Sequence, residues 1–166
     1  MALRRQSPSR ELSRSRSRNI VLSTIPSDSH TWNLLFLQLL LEEHGCEVTN
    51  LGACVPLTTL VTESTQCRPD LIVISTVNGH GLHEGVNVAR AVRATDELRD
   101  VPLVIGGKID TSGSHAAAGF RPLLEAGFDA VLVGATAVPD LLSLLDRVPS
   151  AGSTGTRETA YADATF

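Results

Sequence analysis

Aromatic residues are scarce in this 166-residue chain: one Trp, one Tyr and four Phe. Apolar residues still make up 42% of it, so a folded core has to be built from aliphatic side chains. Three cysteines, Cys46, Cys54 and Cys67, form an odd set without C-x-x-C spacing. That excludes a disulfide framework and a zinc site, and it points to a reduced, cytoplasmic protein. No apolar run approaches the roughly 20 residues of a membrane span, since the longest, Leu34 to Leu41, is broken by Gln38. No membrane partner is therefore expected. Two phosphate-binding patterns are also missing: no G-x-G-x-x-G follows the first strand-like run, and no G-x-x-x-x-G-K-[ST] occurs anywhere. Their absence removes the simplest dinucleotide-binding and nucleotide-hydrolase readings.

Charge is present but unevenly placed. Residues 1–18 carry six Arg against a single acid, Glu11, a balance of +5, which leaves −9 on the remainder of a chain whose net charge is −4. An acidic body argues against nucleic-acid binding by the folded part, because neutralising phosphates dominates that affinity. The Ser/Arg-rich segment 1–18 is expected to be a disordered arm, having too little apolar surface to offset its ordering entropy. A Gly/Ser/Thr/Ala-rich stretch over 149–166 is expected to be a flexible tail, which leaves 19–148 as one domain.

Within that domain, short β-branched runs alternate with longer helical ones. Strands are expected over Asn19–Ile25, Glu47–Leu51, Leu71–Ser75, Pro102–Ile105 and Ala130–Val133, and helices over Thr31–His44, Leu57–Gln66, Glu84–Thr95, Ala116–Ala126 and Val138–Arg147. Several strands are apolar on both faces, which is the mark of a parallel sheet covered on each side. Five βα units in succession predict a doubly wound, flavodoxin-like or Rossmann-like α/β fold, a five-stranded parallel sheet with helices on both faces.

Ligands of such sheets bind beyond the carboxyl ends of the strands, where the strand order reverses. After the first strand come Ser27, Asp28, Ser29, His30, Thr31 and, one residue beyond Trp32, Asn33. A carboxylate two residues before an imidazole can accept its Nδ1–H and turn the Nε2 lone pair outward, the arrangement of a metal-ligating His. The competing reading makes Asp28 or Ser29 a helix cap and His30 an exposed first-turn residue. After the third strand come Ser75, Thr76, Val77, Gly79 and Gly81, whose hydroxyls can hold either a ring nitrogen or a turn. After the fourth come Gly106 and Gly107, where missing Cβ atoms admit a bulky ligand or simply make a turn. Trp32 either packs on the sheet or meets a ligand or partner.

Taken together, Asp28-x-His30, Ser75-x-Val77 and Gly106-Gly107 resemble the D-x-H-x-x-G, S-x-L and G-G set of cobalamin-binding domains. The span from Asn19 to Arg147, with Ser27, Gly79-His80-Gly81 and Thr136, is similar to the small subunits of the glutamate mutase (methylaspartate mutase) family. The resemblance implies adenosylcobalamin as cofactor, bound base-off, with His30 on cobalt and Asp28 orienting it. Ser75, Thr76 and Val77 would line the slot for the benzimidazole tail, Gly106 and Gly107 would admit the nucleotide loop, and Thr136 would close the far wall. It further implies a radical carbon-skeleton isomerisation of L-glutamate to threo-3-methylaspartate with a larger barrel-type subunit that holds the substrate. This chain would supply no catalytic residue and would not be active alone. Two departures stand out: Asn33 replaces the motif's glycine, and Val77 its leucine. A corrinoid carrier for methyl transfer and a non-catalytic cobalamin-binding or regulatory module are the alternatives. A response-regulator reading lacks its phosphoacceptor, since Ser75 stands where an Asp is needed.

Overall fold

The computed structural model describes residues 17–110 and 117–149. Five strands, β1 (Asn19–Thr24), β2 (Glu47–Gly52), β3 (Leu71–Thr76), β4 (Leu103–Gly107) and β5 (Ala130–Leu132), form one sheet in the order β2-β1-β3-β4-β5. Every pairing is parallel. The helices are α1 (Trp32–Glu43), α2 (Leu57–Cys67), α3 (Gly81–Arg93), α4 (Arg121–Ala126) and α5 (Ala137–Arg147). The predicted doubly wound α/β architecture is the one observed.

Alternation along the buried strands divides the core between the two faces of the sheet. Val21, Ile72, Ile74, Leu103 and Ile105 pack with Leu60 of α2, Val88, Ala89 and Val92 of α3, and Leu123 of α4. Ile20, Leu22, Leu71, Val73 and Val104 pack with Leu34 and Leu41 of α1 and Leu141, Leu144 and Leu145 of α5. Burial of each such leucine stabilises the fold by about 1.5–3 kcal/mol. All six residues of β3 are buried, as its central place requires. The chain leaves β1 toward the β2 edge and returns through β3 toward the β5 edge. The reversal therefore falls between the carboxyl ends of β1 and β3.

Most boundaries differ from expectation by a residue or two, and three departures bear on the site or on the helices. Gly106 and Gly107 lie inside β4, paired with Ser75 and Thr76, rather than in a turn after it. The α3 helix begins at Gly81, three residues before Glu84. The helix expected over Ala116–Ala126 splits into a 3-10 turn, Ala117–Phe120, and α4, because Pro122 in the first turn of α4 has no amide to continue the earlier turn. The arm expected over 1–18 lies outside the described residues except for its last two. The Arg18 Nε donates to the Val148 carbonyl at 2.8 Å, tying the start of the domain to its end. Of the expected tail, only Pro149 is described. Among the described residues no helix is long and apolar enough to cross a membrane.

Candidate functional site

The Ile25–Asp28 turn, closed by the Asp28 amide donating to the Ile25 carbonyl at 3.0 Å, sends the chain back over the end of β1 and buries the Asp28 side chain completely. One carboxylate oxygen, Oδ2, accepts from the Thr76 hydroxyl at 2.9 Å, the Val77 amide at 2.6 Å and the Asn78 amide at 3.3 Å. The other, Oδ1, accepts from the His30 amide at 3.1 Å and lies 2.7 Å from His30 Nδ1. The carboxylate thus ties the loop after β1 to the loop after β3, at the point where strand order reverses. Burial pushes the Asp28 carboxyl up, but the Val77 and His30 amides, the His30 ring and the Thr76 hydroxyl outweigh it and hold the group below its ordinary 3.8.

An ionised carboxylate can only accept, so Nδ1 of His30 is the donor in this pair, and in the neutral ring Nε2 carries the lone pair. The His30 side chain is 47% exposed. Nε2 has no hydrogen-bond partner among the described residues, which leaves it free as a ligand. The capping alternative is not what forms: α1 has no side-chain cap, and Thr31 occupies the N-cap position with a helical backbone.

Beside this pair an apolar cavity of about 160 Å³ opens between α1, α5 and the ends of β3 and β4. It is about the size of the ~150 Å³ apolar cavity known to accept a benzene ring. Trp32, Asn33 and Phe36 form one wall, Ser75, Val77, Gly106 and Gly107 the floor, and Leu132, Val138 and Leu141 the other wall. Asn33 Nδ2 donates to Ser75 Oγ at 2.8 Å, deep in the protein.

Several of the expected site residues have other roles in the fold. Thr76 does not line the cavity; its hydroxyl serves Asp28. Gly79, at φ +82°, lets the β3–α3 loop turn. A Cβ on Gly81 would lie 2.7 Å from Thr76 Cγ2. A Cβ on Gly107, itself at φ +105°, would lie 2.1 Å from the Thr76 carbonyl oxygen, so the β3–β4 contact alone demands glycine there. Ser27, Ser29 and Thr31 are exposed. The Ser27 amide donates to Glu84 at 3.0 Å and its hydroxyl accepts from Asn78 at 3.1 Å, which fastens the loop to α3. Thr136 is exposed in a 3-10 turn and does not reach the cavity, where Ala137, Val138 and Leu141 make the wall instead. Trp32 is 64% exposed, so packing on the sheet is not its role.

Residues that sequence reasoning missed are the aliphatic liners Leu132, Val138 and Leu141 and the aromatic Phe36, all indistinguishable in sequence from core positions. Glu84, which the sequence marks only as a helix residue, holds the Ser27 amide.

The arrangement fits a metal that brings most of its own ligands. Among the described residues no three His, Cys, Asp or Glu side chains gather to hold an ion, while one oriented imidazole stands next to a slot for a flat apolar group. A corrinoid has this composition, its ring supplying the equatorial ligands.

The comparisons with known proteins point the same way. The B12 binding domain family matches residues 18–142. Over 125 residues the chain is 27% identical to the glutamate mutase sigma subunit of Fusobacterium nucleatum, covering 75% of this chain and 91% of that protein. Over 123 residues it is 29% identical to the protein of the same name from Halobacterium salinarum, covering 70% and 77%. A cobalamin-binding protein of known structure from Desulfitobacterium hafniense superposes with a TM-score of 0.64 at 23% identity, covering 80% of this chain and 59% of that one, a likeness of fold.

Proposed function

This chain belongs to the B12 binding domain family, and from that premise we propose that it is the cobalamin-binding small subunit of an adenosylcobalamin-dependent carbon-skeleton mutase. The reaction is the isomerisation of L-glutamate to threo-3-methylaspartate, carried out in the cytoplasm with a larger, barrel-type subunit. The observation that carries the reading is the contact between His30 Nδ1 and buried Asp28 at 2.7 Å, set beside the apolar cavity.

His30 Nε2 would hold the cobalt, and Asp28, by accepting the Nδ1 proton, would fix the ring's direction and raise the basicity of the ligating nitrogen. The cavity would take the nucleotide base, with Ser75 and Val77 among the residues lining it. When bound, adenosylcobalamin supplies a cobalt–carbon bond whose homolysis begins radical chemistry. Carboxylates of the substrate need cationic partners, and among the described residues those lining the cavity include no Arg or Lys. Those groups would come from the larger subunit, which would hold the substrate against the bound cofactor. The names of the relatives from Fusobacterium nucleatum and Halobacterium salinarum, both sigma subunits, support a multi-subunit assembly.

Adding adenosylcobalamin to the purified chain should produce the absorbance of a base-off, histidine-ligated corrinoid. His30→Ala should lose the histidine-ligated features. A free-cofactor spectrum with the unaltered chain would contradict corrinoid binding. Glutamate-dependent radical formation with a glutamate mutase large subunit supports the mutase, whereas methyl transfer without a radical would assign the chain to the corrinoid carriers.

A further inference from the structure

No charged side chain stands between Trp32 and Leu41, so α1 is apolar on its outward side as well as its inward one. Leu34 and Leu41 face the core, whereas Trp32, Leu35, Phe36 and Leu39 are each more than half exposed. Their spacing, i, i+3, i+4 and i+7, puts the four on one face of the helix. Four large side chains so exposed make a patch of roughly a few hundred Å², the size that marks an interaction surface. A corrinoid would not cover it, because Leu35 and Leu39 do not line the cavity.

Charge indicates what does. Three and four residues beyond Leu39 the same face ends in Glu42 and Glu43, both exposed. They stand in the last turn, where the helix dipole is negative and disfavours acids. No basic residue in that turn offsets them. At the other end the first turn holds no acid, and the N-cap makes no side-chain hydrogen bond. Asp28, the nearest acid before it in the chain, is engaged by His30, Thr76 and Val77 instead. An apolar stripe with an acidic end and an unanswered positive end is complementary to itself turned end for end.

We propose that this face of α1 is a self-association surface on which a second copy of the chain docks, the two α1 helices antiparallel about a two-fold axis. The axis passes between Leu35 and Phe36, so Trp32 of one copy meets Leu39 of the other, and Leu35 meets Phe36. Glu42 and Glu43 of each copy lie beside the amino end of the other's α1. Such an isologous contact uses the same patch twice and closes at two copies. The patch is small against the roughly 800 Å² per partner of a standard interface, so the dimer is a weak, micromolar one.

Sedimentation velocity of the chain without corrinoid, from about 1 to 100 µM, spans the affinities of so small a contact. The mass should rise over that range from 17.6 kDa toward twice that value. Leu35→Glu brings two carboxylates together near the axis and should weaken association about tenfold or more. Circular dichroism and the melting temperature check that this exposed position leaves the fold intact. Glu42→Lys combined with Glu43→Lys should weaken the dimer about threefold, yet raise the melting temperature of the dilute monomer, because lysine suits the helix's own negative end. Should Leu35→Glu fail to fold, the lysine pair decides alone. A chain that stays monomeric throughout overturns the proposal, as do a dimer that survives Leu35→Glu and a mass that climbs beyond two copies. A dimer left unaltered or tightened by the lysine pair overturns the antiparallel arrangement, and the proposal with it.

Discussion

Asp28 and Val77 stand 49 residues apart in the chain, and the amide of the second donates to the carboxylate of the first at 2.6 Å. Through this bond the turn that aims His30 is fastened to the strand end that carries Ser75. Asp28→Asn keeps the shape but puts an NH2 among donors. It should cost about 1.5–3 kcal/mol of stability, as expected for charge-assisted bonds, measured by urea denaturation. Corrinoid affinity should fall by about 10–100-fold, because the imidazole loses the partner that orients it. Thr76→Val, which removes one donor only, should cost about 1 kcal/mol.

The same carboxylate sets a pH dependence. Its pKa in the folded protein lies below the ordinary 3.8, so the unfolded chain takes up the proton first as pH falls. The stabilising contribution is therefore complete above that ordinary value and is lost as pH drops through the folded one. The stability difference between the unaltered chain and Asp28→Asn should shrink as pH falls below about 4, roughly where unfolded carboxyls titrate. A difference that grows as pH falls below about 4 would contradict a lowered Asp28 pKa.

Gly107 and Gly134 both have positive φ, +105° and +72°, but only the first has a neighbour where a Cβ would go. Gly107→Ala meets the Thr76 carbonyl and should destabilise by about 2–4 kcal/mol. Gly134→Ala meets nothing within 4 Å and should cost only the left-handed penalty of about 1 kcal/mol. Thermal denaturation of the two variants checks the ordering.

Trp32 is exposed and yet lines the cavity. Trp32→Ala should leave stability within about 0.5 kcal/mol, as for a surface position. On the reading proposed here, it should weaken corrinoid binding roughly three- to tenfold through lost aromatic contact. Loss of stability without loss of affinity would make it a packing residue.

Much of this was legible in the sequence because it is local or periodic. Doubly apolar runs such as Leu71–Ser75 announce a central parallel strand, and Asp28 and His30 are close enough in the chain to be read as a pair. What escaped depends on contacts between distant segments. Nothing in Gly106-Gly107 tells that these residues are paired in β4 against Ser75 and Thr76, because a Gly-Gly dipeptide has low strand propensity and is held there by its neighbour's backbone. The destination of the Asn33 amide, 42 residues away on Ser75, is likewise set by the crossing of α1 over β3. Thr136 failed to reach the cavity because the 3-10 turn Gly134–Thr136 leaves it in solvent, one residue before α5.

The central claim is that His30 becomes the lower ligand of a corrinoid metal. Electron paramagnetic resonance of cob(II)alamin bound to the nitrogen-15-labelled chain tests it most directly. The account predicts superhyperfine splitting from one protein nitrogen, abolished in His30→Ala. Splitting characteristic of natural-abundance nitrogen from the cofactor's own base, or no nitrogen splitting at all, would contradict it.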